Sequence, residues 1–138
     1  MPQVMIVTLE KELPEAGAAY LKTKSGKALA RETDRIDGAA RRRSVTALTS
    51  LLSENPAVLA AQMQAEGFDP TKMRLPAEQW FAASDGLKTV RALIEHITAN
   101  LNDFKLPNPI LKDLKAVEAL LVSAETAGVR FHMTKATV

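Results

Sequence analysis

Two histidines, sixteen carboxylates and no cysteine are the groups with which this 138-residue chain could do chemistry. Without cysteine there can be no disulfide, no thiolate nucleophile and no cysteine-ligated zinc or iron–sulfur site. A histidine metal site needs ligands that converge, and neither His96 nor His132 has a second histidine or an acid at zinc-binding spacing. His96 lies about 180° around its helix from Leu87, which predicts that it faces water. His132 falls on the polar parity of a final strand. No GxSxG segment marks a nucleophile elbow. Glu10, Glu12 and Glu15 read as a solvated turn, and no other acid pair stands out as a general acid and base. "SGKA", Ser25–Ala28, suggests a phosphate loop. The full signature needs a glycine at position 21 and a hydroxyl at position 28, where this chain has Leu21 and Ala28. A turn and helix cap is the expectation there. The chain is therefore expected not to be an enzyme, and to carry no cofactor and no metal.

Binding candidates remain. Trp80 and Phe81 are adjacent aromatics in a chain with 4% aromatic residues. Trp80 is expected to anchor the core, since aromatics dominate core energetics. Its rival role is a contact hot spot, forming a partner-binding face with Arg91, Arg130 and His132. The second candidate is basic. From Lys22 to Arg43 eight Lys and Arg face only Glu32, Asp34 and Asp37, a segment charge of +5 in a chain of net charge +2. Such asymmetry can mark a polyanion surface, with Arg41, Arg42 and Arg43 at its centre. Consecutive helical residues point about 100° apart, however, so three arginines cannot all face one groove. Tyr20 is the only aromatic near them, and stacking residues are what single-strand binding needs. The arginines are expected to be a solvated helix end.

These residues must be held by a mostly helical α+β domain, one unit over 1–138. Val4–Leu9 and Val129–Met133 read as strands from the two ends of the chain, expected to pair in one small sheet. "AAYLKT" is ambiguous between a strand and a packed loop. A helix is expected after Ser25 as N-cap, with Gly38 ending or interrupting it. "SVTALTSLLS" has a helical apolar face. Asn55-Pro56 and Asn108-Pro109 each combine a capping side chain with a proline at the first helical position. Gly67 and Gly128 are expected just past the ends of those helices. Between them Pro76 should open a short helix that breaks near Ser84-Asp85-Gly86. A longer helix follows, with Leu87, Val90, Ile94, Ile97 and Leu101 on its apolar stripe. Ile110, Leu111, Leu114, Val117, Leu121 and Ala124 form a second broad stripe.

Charges interrupt every apolar run, so no membrane association is expected. No basic residue precedes Val4–Leu9 as it would in a signal peptide, and a cytoplasmic location is expected.

"EQWFAASDGLKTVRALIEHI", the helix "NPILKDLKAVEALLVSAETAG" and "VRFHM" together resemble small bacterial proteins that share a "WF…DGL…VRALL" segment and a closing "GVRF" strand. That group has no established activity, so the resemblance assigns no site residue. The functional expectation is a non-catalytic protein-interaction domain, a regulatory adaptor or an immunity-type binder, whose partner is another protein. The alternative is a nucleic-acid accessory protein that binds through residues 22–43.

Overall fold

The computed structural model describes residues 3–72, 75 and 77–137. The expected α+β architecture is present: among the described residues there are six α-helices and a two-stranded antiparallel sheet made from the two ends of the chain. Strand β1 (Gln3–Leu9) pairs with β2 (Phe131–Thr137) in a register running from Gln3↔Thr137 to Leu9↔Phe131. The far edge of β2 is also covered. Phe81 and Phe131 exchange backbone hydrogen bonds of 2.7 and 2.9 Å, and Ser53 N–H donates to the Met133 carbonyl at 3.0 Å. Phe131, His132 and Met133 are therefore enclosed on both edges and both faces, each 1% exposed or less. Alternation along this strand had predicted a wet face, and the chain covers that face with its own residues.

Helices α5 (Ala83–Ala99) and α6 (Pro107–Ala127) pack on the Phe131–Met133 side, and their apolar stripes supply much of the core. Gly86 makes the close approach possible. A Cβ placed on it would lie 2.4 Å from the Phe131 ring and 2.9 Å from Leu121. The longer helix expected after Ser84–Gly86 starts at Ala83, so these residues form the first turn of α5, and no short helix precedes them among residues 77–82. Leu101 falls beyond the end of α5 and is exposed. Helix α6 begins at Pro107, one residue before Asn108, so Asn108 does not cap it. Asn55 does cap α4 (Pro56–Ala65), its Oδ1 accepting from Ala57 N–H at 2.8 Å. Gly67 and Gly128 take positive φ just past α4 and α6, as expected.

The first half of the chain departs further from expectation. Residues 14–22 form helix α1 (Pro14–Lys22), with proline in its first turn, and not a strand or loop. The helix expected after Ser25 is two helices, α2 (Lys27–Arg31) and α3 (Thr33–Arg42), broken at Glu32 and not at Gly38. "SVTALTSLLS" closes only a 3-10 turn, Leu48–Leu51. The expected start at Pro76 lies outside the described residues, but residues 77–80 are not helical. They run past β2 as an irregular segment that ends in the Phe81 bridge.

Candidate functional site

The start of α2 shows what became of the phosphate-loop resemblance. Gly26 has φ 117°, and a Cβ there would sit 2.7 Å from the Met5 carbonyl oxygen, so only glycine lets the turn approach β1. Ser25 does not cap the helix; its hydroxyl donates to Thr23 Oγ1. The free N–H groups are instead met by Asp113 of α6, whose Oδ2 accepts from Ala28 N–H at 3.0 Å and Leu29 N–H at 3.4 Å. A buried carboxylate from the protein thus occupies the position an anion would take at a helix start. Its charge also reaches Tyr20, the only tyrosine. Burial first, and then the negative Asp113, push the Tyr20 phenol up to about 12, against the opposing donation from Val7 N–H to its oxygen.

The most connected polar cluster lies on the other side of the sheet. His132 is 1% exposed, and its Nε2 lies 2.8 Å from Glu78 Oε2. An ionised carboxylate only accepts, so Nε2 carries a proton. Nδ1 has both the Thr134 hydroxyl and the Met133 carbonyl at 3.1 Å. A neutral ring can accept from the hydroxyl, and a charged ring can donate to the carbonyl. Thr134 continues to the Thr8 hydroxyl at 2.8 Å. Trp80 closes the cluster from outside, its ring centroid 4.7 Å from that of His132. Trp80 is half-buried at the rim, whereas a place in the core had been expected.

Carboxylate, imidazole and hydroxyl in series are the components of an acid–base relay. Here the imidazole is sealed from solvent and the hydroxyl is bound to a second threonine, so the chain can fasten residues 78–80 to the sheet without presenting a reactive group. Glu78 is absent from the expected site residues. It is 54 positions from His132, and no spacing in the sequence links them.

The other expected contact residues are dispersed. Arg130 shares the sheet face of His132, but both ends of its guanidinium engage Glu10 across the strands. That hydrogen-bonded pairing holds the Glu10 carboxyl below the usual carboxylate range and raises Arg130. Arg91 lies on α5, 3.2 Å from Glu118 of α6.

The three arginines diverge. Arg41 and Arg42 are exposed at the end of α3, as expected for a solvated helix end. Arg43 turns back to α5, where its Nε donates to His96 Nδ1 at 3.2 Å and its Nη1 lies 3.4 Å from Glu95. His96 is consequently buried, 8% exposed, and not the water-facing residue that its helical position predicted. α3 packs against that side of α5 and covers it.

Among the described residues no group of three His, Asp or Glu side chains converges as a metal site, and no helix is long and apolar enough to cross a membrane. No protein-family model, curated protein or solved structure matches the chain.

Proposed function

We propose that the protein is a non-catalytic binding domain that docks α4 into an apolar groove on another protein. The observation that carries this reading is α4 itself. "NPAVLAAQMQA", Asn55–Ala65, contains no charged residue, yet no residue of the helix is buried. Val58 is 47% exposed, and Phe68 just beyond the helix is 56% exposed. Among the described residues the helix packs mainly on the short turn Pro70–Lys72, and none of its side chains belongs to the core cluster. An apolar helix left outside its own domain is the element that helix-in-groove recognition uses.

Charge selects the kind of partner. Glu54 precedes the helix and Glu66 and Asp69 follow it, so both ends of the apolar stretch are acidic. Two copies packed antiparallel through α4 would set Glu54 against Glu66 and Asp69, acid against acid. A second copy is disfavoured for that reason, and a groove rimmed by Lys or Arg is favoured. The enclosure of His132 supports the non-catalytic part of the reading, because the best-connected imidazole cannot reach a substrate.

The test compares partners captured by the wild-type protein, by Val58→Asp with Phe68→Asp, and by Leu21→Asp, an equally polar change at a distant exposed leucine (72% exposed). A partner lost only with the α4 double variant, then shown with purified components to bind the wild type directly, is the expected result. Identical partner sets for all three, or a change of the protein's own oligomeric state as the sole effect of the α4 variant, would overturn the proposal.

A further inference from the structure

A cleft of about 360 Å³ opens between α3 and α5, lined by Arg35, Gly38 and Arg42 of α3, His96 of α5, and Asp103 and Phe104 beyond it. Positions 35, 38 and 42 recur at helical spacing and share one face of α3. We propose that this cleft binds a small phosphorylated polyol, with the phosphate on Arg42 and the imidazole N–H of His96.

His96 supplies the first argument. Arginine has donors only, so the ring nitrogen that receives Arg43 Nε must be unprotonated and the imidazole proton sits on Nε2. Nε2 has no hydrogen-bond partner among the described residues, and it is not a sealed atom either, since Asp37 Oδ1 is the only sealed polar side-chain atom there without a partner. A side chain more than nine-tenths buried thus keeps one donor open to the cleft. Arg43 acts as a positioning residue that fixes the tautomer.

Gly38 supplies the second. A glycine inside a helix is destabilising relative to alanine. Gly86 of α5 is explained by packing, but Gly38 is not, because a Cβ there would meet only the Arg41 guanidinium at 3.8 Å. Its bare Cα widens the cleft between Arg35 and Arg42.

The ligand class follows from the lining. Arg42 has no ion-pair partner among the described residues, whereas Arg35 is shared, 3.7 Å from Glu32 and donating to the Asp103 carbonyl at 3.3 Å. The end of α3 carries the wrong dipole for an anion, so attraction must come from the side chains. The Asp103 carboxylate at the rim would repel a bare ion, but it accepts a hydrogen bond from a hydroxyl. The volume lies near the lower end of the range of about 300–1,000 Å³ for small-molecule sites, and it exceeds what phosphate alone would fill.

The test titrates the protein with glycerol 3-phosphate, inorganic phosphate and glycerol, following the imidazole resonances of the two histidines by NMR. Glycerol 3-phosphate should move the His96 signals, identified by their loss in His96→Gln, and leave His132 in place. Inorganic phosphate should bind more weakly. Arg42→Ala should weaken binding roughly tenfold, the loss of one charge-assisted hydrogen bond. Gly38→Ala should weaken it too while raising the urea midpoint, a combination that a merely structural glycine would not produce. The proposal is overturned if His96 is unmoved at tens of millimolar phosphomonoester, if either substitution leaves the affinity unchanged, or if inorganic phosphate binds equally well. It is also overturned if a short single-stranded oligonucleotide displaces the ligand and binds more tightly at physiological salt, which would make the basic segment a nucleic-acid surface.

Discussion

Alkaline titration of Tyr20 tests the packing around α1, β1 and α6 in one measurement. The phenol is 8% exposed, and its oxygen accepts from Val7 N–H at 3.2 Å. Burial and the nearby Asp113 charge push it up to about 12, above the usual phenol value of about 10. The neutral form is favoured in the native state, which sets the sign. Below about pH 10 the phenol is protonated in both states and adds no pH dependence. Between about 10 and 12 the unfolded chain releases its proton while the native protein keeps it, so stability falls across that window and levels off above it. Across the window from about 10 to about 12 the loss amounts to about 3 kcal/mol, at roughly 1.4 kcal/mol for each tenfold change in proton affinity. Because the chain has one tyrosine, the near-ultraviolet absorbance of the phenolate reports this group alone. Lysines titrate in the same range, so urea unfolding should be compared between the wild type and Tyr20→Phe at each pH. The phenylalanine variant loses the acceptor for Val7 at every pH, and only the pH-dependent part of the difference belongs to ionisation. A native phenolate midpoint near 10, or a wild-type minus variant difference that stays constant from pH 9 to 12, would refute the reasoning.

Two further outcomes follow from the same packing. Asp113→Ala should cost about 2–3 kcal/mol in urea unfolding, because two buried N–H groups at the start of α2 lose their acceptor; Asp113→Asn should lower the Tyr20 midpoint while leaving it above 10, since burial is the larger cause of the shift. Gly86→Ala should destabilise by about 1–3 kcal/mol, measured as a fall in the urea midpoint, because the added methyl meets the Phe131 ring in a filled core; a midpoint that rises with helix propensity would refute this close approach of α5 to β2.

Much of the scaffold was legible in the residues themselves. The periods of α5 and α6, the Asn55 cap, the glycines after α4 and α6 and the two terminal strands all obey rules that act over a turn or two of chain. Those rules need no knowledge of distant residues. Where a local signal was equivocal, as in "AAYLKT" of α1, packing against α6 decided the outcome. At Asn108 the capping signal was present, but the helix had already begun at Pro107.

The polar positions were of another kind. A strand's alternation says which side chains share a face, but not what covers that face. His132 is buried because Glu78 and Trp80, more than fifty residues earlier, cross over it. His96 sits on the polar side of α5 and is buried because α3 turns Arg43 onto it. Asp113 lies inside the apolar stripe of α6, and only the arrival of α2, 85 residues away in sequence, explains a carboxylate there. The separation of Arg43 from Arg41 and Arg42, the cleft beside Gly38 and the isolation of α4 likewise depend on which elements meet. Periodicity fixes the direction of a side chain relative to its own backbone, whereas burial and partnership are properties of the second element, and only the assembled chain supplies it.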